Sequence, residues 1–425
     1  MATAQTEISD ANHDSRAAFR YPAFKIFQTA RCLVVLALEM QAVAVGWQVY
    51  EITKRPLDLG LVGLAQFLPG IVLFLLAGHV ADVFDRRKVL ISCDIGFGLC
   101  FVLLLILTAF GTRSVFAIYA VLILLGIVRS FNGPASRAIL PHLVREEHFQ
   151  NSVAWASGIF QLATILGPVL GGVIYAIFRG PFAVYLIASV VTGIAIGLLL
   201  QLKIAIKPRA KMESSSSSSS SVFEGFRYIW REKLILGAIS LDLFAVLLGG
   251  AVALLPVYAK EIFQTGPWGL GLLRSAPGVG AGIMAIVIAY RPLRRNVGAT
   301  MLWCVAAFGL FTVAFGISRS MMFSLIALFM VGATDMVSVI VRGTLIQVAT
   351  PDEMRGRVNA VDMVFIGASN ELGQFESGVT AQLFGAVPAV ILGGAGAIVV
   401  TALWAWMFPQ LRKVKELSFK EKSNQ

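Results

Sequence analysis

Gly78-His79-Val80-Ala81-Asp82-Val83-Phe84-Asp85-Arg86-Arg87-Lys88-Val89-Leu90 is the stretch that decides how this chain folds. It separates two apolar runs, 61–81 and 89–110, and places two acids and three bases within seven residues. Each run is long enough to cross a hydrocarbon core of about 30 Å, so the stretch predicts a tight hairpin at a membrane face. Its cations also predict which face, because Lys and Arg accumulate on the cytoplasmic side. Gly78 is expected to let two helices approach closely. Asp82 is expected to accept hydrogen bonds from a helix N-terminus or to pair with arginine.

The whole composition agrees with a bilayer as solvent. Of 425 residues, 57% are hydrophobic and 14% charged, with a mean hydropathy of +0.79; a soluble domain carries roughly a quarter charged residues. The net charge of +11 sits almost wholly in short segments between apolar runs. It therefore reads as a topology signal, and nucleic acid is excluded as a partner. Cys32, Cys93, Cys100 and Cys304 all lie in apolar runs without a Cys-x-x-Cys pair, so they read as packing residues. No Gly-x-x-x-x-Gly-Lys-Ser/Thr, His-Glu-x-x-His or Gly-x-Ser-x-Gly occurs. Neither ATP, a metal, a cofactor nor a catalytic residue is expected, and Gly278, Gly280 and Gly282 read as helix-packing glycines rather than a nucleotide loop.

Twelve spans are predicted, at 26–50, 60–81, 88–110, 115–133, 150–177, 182–203, 233–258, 268–290, 297–317, 321–343, 358–384 and 388–408. No segment alternates as barrel strands do, so the fold class is an all-α integral membrane protein of two six-helix bundles. The expected organisation is a disordered tail at 1–20, an N-terminal bundle at 21–203, a flexible linker at 204–232, a C-terminal bundle at 233–408 and a tail at 409–425. The serine run at 214–221 marks the linker, since it has no apolar surface to bury. Only Lys54, Arg55, Arg113, Arg179, Lys260 and Arg319 fall at the predicted outer ends, and Arg274 falls inside a span. The other 28 of the 35 bases share the opposite side, which predicts that both termini are cytoplasmic. The halves also echo each other. Val49-Tyr50 recurs as Val257-Tyr258 and Arg86-Arg87 as Arg294-Arg295, while Gly167 and Gly172 match Gly373 and Gly378 at an offset of 206. Arg137 and Arg342 stand at similar places after the fourth and tenth spans. A duplicated six-helix unit is the expectation.

Three stretches point to function. The pattern Gly78-x-x-x-Asp82-x-x-x-Arg86-Arg87 resembles the loop between helices two and three of major facilitator superfamily transporters, departing from it at Val83 and Asp85. The fourth span carries Arg129, which resembles the arginine of proton-coupled members of that superfamily; an arginine inside a membrane must face a cavity or an acid. The fifth span reads Gly158-x8-Gly167-Pro168-Val169-Leu170-Gly171-Gly172 and resembles the signature of the superfamily's antiporters. Its small residues admit a neighbouring helix, and Pro168 bends the span. The run 355–378, with Arg355, Arg357, Asp362, Glu371 and Glu376, most resembles the enterobactin-exporter-like branch.

Acids inside spans complete the set: Glu39, Asp94, Asp242, Asp335, Asp362, Glu371 and Glu376. A carboxylate in low dielectric favours its protonated form and is suited to carry a proton across a gradient. Glu39 and Asp335 are the leading candidates, since apolar turns flank both. Arg31, Arg274 and Arg342 are the complementary cations, with Arg31 and Arg342 expected to snorkel at helix ends. Two classes stay open here: a secondary transporter working by alternating access on a small-molecule substrate and protons, as a monomer in the lipid bilayer, or a membrane receptor of transporter ancestry. Within transport, the resemblance implies proton-coupled efflux of a siderophore, drug or other amphipathic molecule before it implies uptake.

Overall fold

The computed structural model describes residues 16–202, 218–293 and 296–414. The side chains of residues 74, 75, 79, 81, 82 and 218–223 lie outside that description. The expected contacts of Asp82, the Arg294-Arg295 repeat and serines 214–217 therefore lie outside the described residues.

Apolar runs in a bilayer have no water to bond their backbone, so each closes its hydrogen bonds within itself as a helix. The long helices are α1 (Pro22–Thr53), α2 (Pro56–Val83), α3 (Arg86–Ala109), α4 (Val115–Ile139), α5 (Phe149–Ile177) and α6 (Phe182–Gln201). The second half repeats the count with α7 (Lys233–Leu248), α8 (Gly266–Tyr290), α9 (Val297–Ile317), α10 (Met321–Ala349), α11 (Asp352–Phe384) and α12 (Ala386–Met407). Eleven helices among the described residues are long and apolar enough to cross a membrane. The exception is α11, whose 33 residues include Asp352, Glu353, Asp362, Glu371 and Glu376. It packs between α2 and α7 all the same. We call the end of the bundle where α1 begins and α12 finishes the terminal face, and the other end the far face.

The opening hairpin is as tight as expected: only Phe84 and Asp85 separate α2 from α3. Asp85 caps α3, accepting a hydrogen bond from the Arg87 backbone N–H at 2.9 Å, so the residue that departs from the motif still fixes the turn. Gly78 corrects the reading of its role. A Cβ there would meet nothing within 4 Å among the described residues, so the glycine is not what seats a neighbouring helix here. At the far face Gly385, at φ 90°, joins α11 to α12 alone, a conformation that a side chain disfavours.

Several boundaries differ from the sequence reading. The span read as 233–258 breaks after Leu248 at Gly249-Gly250, then continues as a short 3-10 turn, a helical turn and a π-turn to Ile262. The break serves packing: a Cβ on Gly250 would lie 2.8 Å from the Gly373 carbonyl on α11. The first tail is not wholly loose, because Ala17–Arg20 form a turn in which Ala18 is fully buried and its N–H donates to Asn151 at 3.0 Å. Beyond α12, Pro409–Arg412 form another turn with Leu411 buried. The linker, read as flexible, is helical over Ser218–Arg231. Apolar residues on one face drive this: Ile229 packs with Ile235, Ile346, Val358 and Val361, and the Phe226 ring stacks on Phe365 at 6.4 Å.

The duplication is visible in the glycines. A Cβ on Gly167 of α5 would collide with α1, 2.5 Å from Glu39 Cβ, and one on Gly172 would lie 2.4 Å from the Pro267 carbonyl oxygen of α8. In the other half, a Cβ on Gly373 of α11 would lie 2.9 Å from the Leu247 carbonyl oxygen of α7, and one on Gly378 would lie 2.9 Å from Gly60 Cα of α2. Each first glycine thus seats the opening helix of its own half, and each second glycine seats the second helix of the other half. That is the contact pattern of a duplicated unit with a two-fold relation between its copies.

Candidate transport cavity

A cavity of about 500 Å³ lies among the helices of the first half and reaches the second. The middle of α1 supplies Glu39, and its terminal-face turns supply Arg31. From α3 comes Asp94, 4% exposed, and from α4 come Arg129, Asn132 and Arg137. The second half contributes Arg274 of α8 with Glu371 and Gln374 of α11. Four arginines and three carboxylates thus share a chamber running from mid-helix towards the terminal face.

Polar contacts set the orientation of these groups. Asn132 Nδ2 donates to Asp94 Oδ1 at 3.4 Å, and Gln374 Nε2 donates to Glu371 Oε2 at 3.0 Å. Glu371 also lies in the electrostatic field of Arg129 and Arg274. The Arg31 guanidinium sits 5.5 Å from the centre of the Phe160 ring. Arg31 therefore does not snorkel to the surface as expected; it turns inward. The chamber brings together three of the residues singled out in the sequence, Glu39, Arg129 and Asp94.

The far face is closed by contacts between the halves. The Tyr50 hydroxyl of α1 donates to the Glu261 carboxylate in the broken end of α7. Lys260 Nζ lies 3.4 Å from Glu51 Oε1 and 5.1 Å from the centre of the Trp47 ring, while Tyr175 donates to Glu51 at 3.2 Å. Along α5 and α8, Ser275 Oγ donates to the Ile165 carbonyl at 2.6 Å, and Gln161 Nε2 to the Gly278 carbonyl at 3.0 Å. Pro168 belongs to this seam too, since a Cβ on Gly271 would lie 2.5 Å from its carbonyl oxygen. Gly171 packs on α1, since a Cβ there would lie 2.8 Å from Met40 Cα. Gly158 alone of the motif has no such duty, as a Cβ there meets open space.

Other candidates lie elsewhere. Arg342 is a correction: far from snorkelling, it is 2% exposed, with Nη1 2.6 Å from Asp242 Oδ2 and 3.5 Å from Asp362 Oδ1. Asp335 lies in the electrostatic field of this pair rather than among apolar turns alone. Glu376 accepts from Thr380 Oγ1 at 2.7 Å, outside the chamber. Arg355 pairs with Asp352 at 2.5 Å, and Arg357 with Glu224 of the linker helix. Arg86 and Arg87 tie the start of α3 to its neighbours, donating to the Ala138 carbonyl at 2.9 Å and the Leu200 carbonyl at 2.8 Å. The sequence reading passed over the far-face set, Tyr50, Glu51, Lys260 and Glu261. Their signal was an acid beside each predicted outer end, with a lysine next to one of them. It also passed over Gln66, a polar residue in an apolar stretch of α2, and Gln374, one turn from Glu371 on α11.

Known proteins place this architecture. The chain resembles the enterobactin exporter EntS of Citrobacter koseri, 27% identical over 406 residues that cover 93% of this chain and 94% of the relative. The EntS protein of Shigella boydii serotype 4 is 26% identical over 404 residues, with the same coverage. Among solved structures, a variant of the peptide transporter POT superposes with a TM-score of 0.73 at 12% identity, covering 93% of this chain and 95% of that one. A D-xylose–proton symporter gives 0.69 at 14% identity, covering 94% and 99%. At such identities these two likenesses speak for the fold. The profile of the transmembrane secretion effector family matches residues 14–424, and the chain belongs to that family, with the major facilitator fold as its architecture.

Proposed function

We propose that this protein is a secondary active exporter which moves an amphipathic small molecule, a siderophore or a drug, out of the cell in exchange for protons. The observation that carries the reading is a charged chamber reaching towards the terminal face beneath a far face sealed between the halves. Such a pair of features is what one end state of alternating access requires. The distribution of bases supports a cytoplasmic terminal face, so the chamber is loaded from inside the cell. The relatives named as enterobactin exporters support outward transport and a siderophore-like cargo.

In this account Arg129, Arg274 and Glu371 hold the polar part of the cargo, and Phe160 with the apolar wall holds the rest. Glu39 and Asp94, facing the same chamber, exchange protons as the cargo arrives and leaves. Arg86, Arg87 and the Asp85 cap keep the first bundle rigid. The Gly167-Pro168-x-x-Gly171-Gly172 seam is the surface about which the bundles rock. One copy of the chain carries the complete chamber, and the protein works as a monomer in the inner membrane. Everted membrane vesicles supplied with labelled enterobactin test the reading. Accumulation that follows an imposed proton gradient and needs Arg129 supports it; accumulation only in right-side-out vesicles makes the protein a symporter.

A further inference from the structure

The second half contains a polar cluster that the chamber does not use. Arg342 of α10 holds Asp242 of α7 at 2.6 Å and lies 3.5 Å from Asp362 of α11. Asp335, two helical turns earlier on the same face of α10, is within electrostatic reach of both Asp242 and Arg342. Two carboxylates thus share one guanidinium, and a third lies in the field of the pair. Among the described residues of the neighbouring helices, no other group restores the balance. Along their spans α9 and α12 contain no Asp, Glu, Lys, Arg or His, and Arg274, the one such residue of α8, lines the chamber. On α11, Glu371 faces the chamber, Glu376 is bonded to Thr380, and Arg355 and Arg357 are paired at the terminal face. Lys233 stands at the start of α7, two and a half turns from Asp242.

A second observation points to what binds there. Ser338 occupies the same face of α10 between Asp335 and Arg342, is 1% exposed, and its hydroxyl has no hydrogen-bond partner. Arg342 Nε is equally unpartnered. Buried polar atoms left in this state are costly, and so is uncompensated charge away from water. A metal ion does not fit the geometry: among the described residues, no three His, Cys, Asp or Glu side chains are placed to hold one. A proton does fit, since a protonated carboxyl loses its charge and becomes a donor to Ser338 or to a neighbouring carboxylate.

We propose that Asp242 and Asp362 on Arg342, with Asp335 in their field, form a second proton-uptake site, apart from the chamber in which Glu39 and Asp94 exchange protons with the cargo. This rests on the proton-exchange reading above. The link between the two sites is α11. Asp362 and Glu371 are nine residues apart on it, about 13 Å along the axis. With its carboxylates charged, Arg342 draws α7 and α11 onto α10. Protonation releases α11, which carries Glu371 and Gln374 at the chamber and Gly378 against Gly60 at the far-face seal. Proton uptake in the second half thereby loosens the seal over a chamber built largely in the first.

Infrared difference titration of the purified full-length protein, without cargo, tests this site. A pH-dependent carboxyl C=O component is expected in the wild type. It is expected to vanish, or to shift its midpoint by about one pH unit, a tenfold change in proton affinity, in Asp335→Asn, Asp242→Asn and Asp362→Asn. Arg342→Lys retains the charge and should shift the same component even where an Asn variant does not fold. A component unaffected by all four substitutions, or removed only by Glu39→Gln, overturns the proposal. The separate enterobactin assay keeps the two ideas apart. Titration as expected with no enterobactin-driven proton flux retains the proton site and removes the cargo reading; flux with an unmoved component does the reverse.

Discussion

The Cβ of Glu39, on α1, lies 2.5 Å from the point where a side chain on Gly167, on α5, would begin. The glycine motif and the chamber carboxylate, far apart in sequence, are therefore one structural unit. Glu39 is held at the chamber wall because position 167 has no side chain. Gly167→Ala is expected to displace Glu39 and cost about 1–3 kcal/mol of packing strain, with most transport lost. Gly158→Ala, whose added methyl meets open space, should leave transport and thermal melting as in the wild type. Equal effects from the two substitutions would sink the assignment.

The far-face seal makes a second prediction. Tyr50→Phe removes the bond to Glu261, and Glu51→Gln weakens the grip on Lys260. Each is expected to raise the population of the state open at the far face. In a background freed of Cys32, Cys93, Cys100 and Cys304, a cysteine at Ala42 on the chamber wall should then react several-fold faster with an impermeant maleimide applied from the far side. Unchanged labelling in the double variant would show that these contacts do not hold the seal.

Removing Arg342 leaves two carboxylates, Asp242 and Asp362, without their cation. Breaking a buried pair from one side typically costs about 3–5 kcal/mol, so Arg342→Met is expected to lower the melting temperature sharply. Adding Asp242→Leu should recover part of the loss, because the orphaned charge goes with it. A single variant that melts like the wild type contradicts the buried cluster.

Much of this architecture is legible in the sequence. Apolar length alone marks eleven of the spans, because a bilayer admits few other solutions for such runs, and the acid-bearing α11 is the exception. The repeat in Gly167, Gly172, Gly373 and Gly378 was legible as an offset, and the structure explains it as paired helix seats. Other features were hidden for physical reasons. Arg342 near a helix end looks like a snorkelling cation, since nothing in one sequence shows that Asp242 and Asp362 converge on it from other helices. Gly78 and Gly158 look like Gly167, yet only a neighbouring backbone decides whether a glycine is needed. Ser218–Arg231 were read as loose because of the serines, and the apolar period of Phe226 and Ile229 was overlooked within that segment.

That linker helix makes a further prediction. Ile229 is 2% exposed and packs with Val358 and Val361 at the start of α11, and a Cβ on Gly225 would lie 2.8 Å from the Arg357 carbonyl oxygen. Ile229→Asp should detach the helix. Limited proteolysis is expected to cut within 218–231 several-fold faster, while the spans stay folded by circular dichroism. Cleavage at the wild-type rate would mean that the helix is not held by this contact.

The most direct measurement places the purified protein in sealed liposomes that contain a pH-sensitive dye, imposes a pH gradient, and adds enterobactin or a cationic amphipathic drug. The account predicts cargo-dependent proton movement in the wild type, strongly reduced by Arg129→Ala and by Glu39→Gln. Proton movement that ignores the cargo, or cargo movement that ignores the gradient in a protein shown to bind it, would contradict proton-coupled export.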